Sequence, residues 1–208
     1  AAAALVMHGD GPLCRAEWRA SSDGALLELR DVRHPVLDSP AITRAALKYL
    51  QENRERSFFL QLHYDAPHWP YSPPPAFLPK ASSDQAATMA GRSPSGPPSP
   101  SEPNAKSYLA EAAYADAQIA QVLGEVERLG LGPRTMVVIV GDHGEVFDIH
   151  HSHYVLALKQ PTLYHHGWSA YDEILRVPMI LAMPGRLPAG VTVPSQVRLF
   201  DVAPTVLE

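Results

Sequence analysis

Two hydrophobic periods alternate along this chain. Short, nearly unbroken apolar runs occur at Ser57 to His63 (Phe58-Phe59-Leu60-Gln61-Leu62), at Thr135 to Val140 (Met136-Val137-Val138-Ile139-Val140) and at Arg176 to Gly185 (Val177-Pro178-Met179-Ile180-Leu181-Ala182). Runs this short and rich in β-branched residues predict strands buried on both faces. Pro178 places the first half of the last run at a strand start or edge. Between them lie helical patterns. Ser39-Pro40 has the form of an N-cap with proline at the first helical position, followed by Ile42, Ala45, Ala46, Leu47 and Leu50, and charge over Glu52 to Arg56 ends the helix. A long amphipathic helix is predicted over 106–130, with Leu109, Ala112, Ala113, Ile119, Val122, Leu123, Val126 and Leu129 as its apolar set. Gly130 is placed for a C′ cap, and Gly132-Pro133 forbids continuation. Residues 26–36 suit a peripheral strand or loop, and Val197 to Thr205 the start of a helix. Helices alternating with buried strands predict an α/β fold: a mostly parallel or mixed central sheet with helices on both faces.

Composition changes this picture in two places. The stretch from about 80 to 105, above all Ser93 to Pro103, is rich in serine, glycine and proline and is expected to be a mobile low-complexity loop inside one domain. The opening Ala1 to Ala4 running straight into strand-like Leu5-Val6-Met7, and the stop at Glu208 after an apolar stretch, suggest a piece of a longer chain. The 208 residues, 46% hydrophobic, suffice for one domain with a substantial core. A net charge of -5 offers no basic field for nucleic acid, and no apolar run reaches a membrane span. Cys14 is the single cysteine, which excludes an internal disulfide and any multi-cysteine metal knuckle. The cellular compartment is not legible.

The chemistry gathers where predicted strands end. Gly141-Asp142-His143-Gly144-Glu145 follows the second run directly. In open α/β sheets, ligands bind at the carboxyl ends of strands, and a carboxylate beside an imidazole is a natural half of a metal site. A plainer reading also stands, with Asp142 capping the next turn and His143 solvated. After the first run comes His63-Tyr64-Asp65-Ala66-Pro67-His68-Trp69-Pro70-Tyr71, where two prolines pre-set the backbone around His68. This suits either a substrate contact or a rigid aromatic turn. His150, His151 and His153 form a His-rich tract in which metal binding is possible but solvated loop positions fit His151 and His153 better. Before the third run stands His166-Gly167-Trp168-Ser169-Ala170-Tyr171-Asp172-Glu173, with His166 a candidate donor and Tyr171 to Glu173 a candidate helical turn. Trp69 and Trp168 suit an apolar wall or packing. If the sheet is mostly parallel, His68, Asp142, His143 and His166 share one edge.

These blocks, taken in order, resemble the sulfatase family of the alkaline-phosphatase superfamily. Phe58-Phe59-Leu60 with Pro67-His68-Trp69-Pro70-Tyr71, then Asp116-Ala117-Gln118-Ile119, then Gly141-Asp142-His143-Gly144-Glu145, then His166-Gly167 to Glu173 with Arg176-Val177-Pro178, and last Asp201-Val202-Ala203-Pro204-Thr205 are similar to family elements in order and spacing. The resemblance implies an alkaline-phosphatase-like domain, incomplete over 1–208, and metal-dependent hydrolysis of a sulfuric ester on a small molecule or saccharide. It implies that Asp142 and His143 ligate one divalent cation, Ca²⁺ first, with Mn²⁺, Mg²⁺ or Zn²⁺ as alternatives since imidazole suits a borderline metal. His68 and His166 become the catalytic candidates, with His150 and Glu145 as possible supporting residues.

The departures bear on activity. The family's paired aspartates and its modified Cys or Ser, the formylglycine nucleophile, have no counterpart here, and Leu13-Cys14-Arg15-Ala16-Glu17 does not fit that motif. The missing N-terminal segment of the same protein is therefore an expected partner, and this chain alone is expected to be inactive. The insertion Ser152 to Pro161 is longer than the usual spacing. Two other functions remain in view: a phosphodiesterase or phosphonate monoester hydrolase on the same scaffold, and a non-catalytic sulfatase-like binding module.

Overall fold

Three strands pair around the amino-terminal apolar run. β1 (Ala3–His8) runs antiparallel to β2 (Cys14–Ala16) and parallel to β5 (Phe58–His63), with Leu5 opposite Leu60 and His8 opposite His63. The computed structural model of the chain describes residues 3–8, 14–16, 18–21, 24–27, 39–92, 97, 99–151, 154–155, 160–161, 166–167 and 169–208. The expectations for 28–36, for His153, for Trp168 and for most of the 152–161 insertion lie outside these residues. The chain forms two units, Ala1–Ala86 with Lys106–Leu129, and Ala87–Ala105 with Gly130–Glu208.

In the first unit, β3 (Trp18–Ser21) and β4 (Gly24–Leu27) form a separate antiparallel pair. Helix α1 (Ser39–Asn53) begins at the Ser-Pro signal and turns Ile42, Ala46 and Leu50 inward, at 3%, 0% and 1% exposure. It crosses β5, where Tyr49 meets Phe58 edge-on at 6.0 Å between ring centres. β5 alternates rather than burying both faces, since Phe59 is exposed and Leu60 is not. The expected low-complexity stretch is not all loop: α2 (Ser83–Met89) forms there, because Asp84 favours its first turn and Ala86, Ala87 and Ala90 can be buried.

Helix α3 (Glu102–Arg128) starts four residues before the expected 106, where Glu102 Oε1 accepts the Ser99 N–H at 2.8 Å and the Ser99 carbonyl accepts the Glu102 N–H at 3.1 Å. Gly130 takes the left-handed conformation (φ 67°) expected of a C′ glycine. Within the first unit its buried stripe carries Glu111, Gln118 and Glu125, seven residues apart and 7%, 8% and 9% exposed. Buried polar groups need partners, and each of these has one. Gln118 Oε1 is 2.9 Å from Thr43 Oγ1, which is also 2.9 Å from the Tyr64 hydroxyl. Glu125 receives Arg128 at 2.6 Å and Gln51 Nε2 at 2.8 Å. Those bonds, Arg128 first, hold the Glu125 carboxyl down to about 2. A depressed carboxyl stabilises the fold above the ordinary glutamate range and loses that contribution as pH falls toward 2. Thr43→Val leaves buried Gln118 and Tyr64 without this hydroxyl and should lower stability by about 1–3 kcal/mol in urea unfolding.

In the second unit, β6 (Val137–Val140) pairs antiparallel with β9 (Met179–Ala182), Val140 opposite Met179. The reading of β6 as buried on both faces is corrected here: Val140 and, across from its neighbour, Ile180 are exposed, as side chains of a pair are wherever no packed layer covers their face. β7 (Tyr154–Val155) and β8 (Gln160–Pro161) form a short ladder within the insertion. α4 (Asp172–Leu175) is the anticipated helical turn, and α5 (Val202–Leu207) the anticipated terminal helix. Among the described residues, no helix is long and apolar enough to cross a membrane.

Candidate functional site

The second unit builds its chemistry at the end of β6. Gly141 donates its N–H to the Pro178 carbonyl at 3.1 Å and packs closely against Val177, so a larger residue there would have to push Val177 and Pro178 aside. Gly144 and Glu145 then donate their N–H groups to the Ile174 and Glu173 carbonyls, at 2.8 and 3.2 Å. These are end carbonyls of α4 that have no partner within the helix, so loop and helix satisfy each other. Val146 and Phe147 are buried, and Ser101 Oγ donates to the Phe147 carbonyl at 2.7 Å. The segment from 141 to 147 is therefore held at both ends.

That segment presents Asp142, His143 and Glu145 together. Asp142 Oδ1 accepts the His143 N–H at 2.9 Å, a bond to the next residue rather than a cap on a following turn. Its side chain is nonetheless 69% exposed, and Oδ2 stands 3.8 Å from His143 Nε2. His143 Nδ1 donates to the Gly144 carbonyl at 2.8 Å, which leaves Nε2 as the nitrogen able to coordinate. His166 stacks on His143 with ring centres 3.5 Å apart and 26° between planes. Glu145, nearly fully buried, places Oε1 3.7 Å from His166 Nδ1. Four of the residues singled out from the sequence, Asp142, His143, Glu145 and His166, thus form one cluster.

A divalent cation fits part of this cluster. Carboxylate oxygen and imidazole nitrogen are both ligands for Zn²⁺ and Mn²⁺, and the carboxylate for Ca²⁺. Among the described residues, no group of three or more His, Cys, Asp or Glu side chains is gathered into a complete cation site. Asp142 and His143 offer one carboxylate and one imidazole, two donors and no third, among the described residues.

His150 lies on the neighbouring helical turn Ile149–His151, with its backbone N–H on Asp148 Oδ1 at 2.9 Å and its side chain exposed. His151, expected in solvent, instead bonds Glu173 Oε1 through Nδ1 at 2.9 Å and stacks on Tyr171 at 4.0 Å. Burial pushes the Glu173 carboxyl up, and the His151 bond opposes it. α4 is thereby gripped on both sides: its carbonyls by Gly144 and Glu145, its side chains by His151. Spacing could not reveal this pair, because His151 and Glu173 are separated by 22 positions.

The first unit holds His68. Its loop leaves β5 through Tyr64, whose hydroxyl meets Thr43 and whose pKa burial raises. The Ala66-Pro67 and Trp69-Pro70 bonds are both cis. His68 is exposed, and its Nδ1 donates to the Trp69 carbonyl at 2.6 Å, which makes Nε2 the nitrogen to meet a ligand. Trp69 packs edge-on against Tyr71 at 5.4 Å, and Tyr71 against Tyr108 of α3 at 5.7 Å. Glu111 of α3, which the sequence reading left unmarked, accepts the Ser72 N–H at 2.6 Å. Burial raises the Glu111 carboxyl, the Ser72 bond and the charge of His68 lower it, and Asp65 raises it.

The motif order has counterparts in known proteins. Mouse arylsulfatase K is 30% identical over 101 residues, covering 49% of this chain and 16% of the mouse protein. The ulvan-active sulfatase of Formosa agariphila is 32% identical over 101 residues, covering 48% of this chain and 18% of its own. This chain thus spans less than a fifth of the curated relatives it matches. Among solved structures, yidJ of Bacteroides fragilis superposes with a TM-score of 0.64 at 18% identity, over 87% of this chain and 40% of that one. That likeness carries the fold, an alkaline-phosphatase-like α/β domain present in part. The family model described as Sulfatase spans residues 25–208, and so takes in the His68 loop, the Asp142–Glu145 turn and the His166 segment together. By that match, this chain belongs to the sulfatase family.

Proposed function

We propose that this chain forms part of a hydrolase of sulfuric esters, with a small-molecule or saccharide sulfate as substrate. The observation that carries the reading is the cluster behind β6: an exposed carboxylate, an imidazole with Nε2 turned to coordination, and a second imidazole stacked on it beside a buried glutamate. Asp142 and His143 would hold a divalent cation, which when bound draws negative charge from the sulfate oxygens. Glu145 lies 3.7 Å from His166 Nδ1, so the buried carboxylate would favour a protonated His166, which would donate a proton to the leaving oxygen. His68, with Nδ1 committed to its own loop, would bind a sulfate oxygen through Nε2. His150 stands one turn further along and would support the cluster from outside. Cys14 sits outside any motif that is converted to a nucleophile, so the 208-residue chain alone is expected to show no turnover, and tests belong on the full-length protein.

The decisive measurement compares aryl and saccharide sulfate esters with matched phosphate and phosphonate esters, before and after chelation and with Ca²⁺, Mn²⁺ or Zn²⁺ restored. Sulfate turnover that vanishes on chelation and returns with one of these ions is the expected result. Preferential cleavage of the phosphonate would assign the protein to the other branch of the superfamily. Binding of the ester without turnover would make it a non-catalytic module.

A further inference from the structure

We infer that Glu111 is a positioning residue for His68: with Tyr108 one turn earlier on α3, it clamps the 65–72 loop and fixes where the imidazole is presented. The inference rests on His68 serving the proposed reaction, but its physical part does not. Glu111 is 7% exposed in the middle of a long helix, where alanine or leucine would suit burial better. Its Oε1 takes the Ser72 N–H at 2.6 Å, a short bond to a charged acceptor. Its Oε2 is buried and has no hydrogen-bond partner among the described residues.

The contrast with the rest of the stripe is informative. Gln118 is neutral, and Glu125 is neutralised by Arg128. The charged groups that reach Glu111 are Asp65 and His68, both on the loop it holds. Tyr71, next to Ser72, packs on Tyr108, so two successive loop residues are fixed by two α3 residues three positions apart. The other end of the loop is fixed by Tyr64 on Thr43. A loop pinned at both ends and carrying its histidine between them is how a side chain on irregular backbone is held to the tolerance that catalysis requires.

The test uses the full-length protein with E111L, which cannot accept the Ser72 N–H, and E111Q, which can. Hydrogen exchange by mass spectrometry follows the 64–72 peptide, thermal unfolding follows global stability, and turnover of an aryl sulfate follows function. We expect E111L to melt at most slightly lower than the native protein, as the loss of one hydrogen bond implies, and to exchange about ten- to a hundredfold faster in that peptide. Its kcat should fall about ten- to a hundredfold with KM changed far less, and E111Q should return both readouts toward native. Native exchange and native kcat in E111L would overturn the inference. So would parallel losses of melting temperature and kcat in both variants, which mark a general structural role. A native protein without sulfate turnover would defeat the functional reading alone, and the exchange comparison would still decide the clamp.

Discussion

Gly144→Ala is expected to destabilise the protein by about 3 kcal/mol or more, and to disorganise the cluster behind β6 with it. A Cβ at this position would fall on the Glu173 carbonyl, and the Ile174 Cα lies 3.1 Å away. Both are backbone atoms, so no rotamer change relieves the clash. The chain must move off α4, which breaks the Gly144 and Glu145 bonds to the Ile174 and Glu173 carbonyls. Glu145 and His143 then lose their footing, and with them the stack on His166. Gly124→Ala is the matched control. Gly124 lies inside α3 with nothing within 4 Å of an added Cβ, so the same substitution there should raise stability by roughly 0.5–1 kcal/mol. Paired thermal melts measure both, and equal melting temperatures for native protein and Gly144→Ala would refute the close approach.

Asp142→Ala should do the reverse, sparing the fold and removing the activity. The Asp142 side chain is 69% exposed, and its one described bond is to the amide of the next residue. Its loss should change stability by less than about 0.5 kcal/mol. If it ligates the cation that balances charge on the sulfate, kcat/KM should drop about 100- to 1,000-fold in the full-length protein. Isothermal titration with Mn²⁺ or Zn²⁺ gives an independent measure and should show weaker binding. Undiminished turnover in a normally folded Asp142→Ala protein would remove Asp142 from the site.

Much of this was readable from local pattern. β5, β6, β9, α1 and the C′ glycine at 130 sit within a few residues of where periodicity and end signals place them. Of the four residues expected at one sheet edge, Asp142, His143 and His166 come together in the second unit, joined there by Glu145, while His68 belongs to the first. Glu111 does not stand out by residue type, because a glutamate on a long helix ordinarily faces water. The signal that would have found it is the seven-residue recurrence of Glu111, Gln118 and Glu125, polar residues on the stripe that also buries Ala115 and Val122. α2 was hidden by the serine and proline around it, although its alanines are good helix formers.

The sequence by itself determined which family this protein joins and which side chains are the candidates for its chemistry, because strand and helix periods and short motifs are properties of neighbouring residues. Only the tertiary structure decided how those side chains are held: Glu145 beside His166, His151 on Glu173, Glu111 under the His68 loop. Each of those pairs is made by residues more than twenty positions apart, whose meeting depends on how the helices and loops pack and leaves no mark in the spacing of the chain.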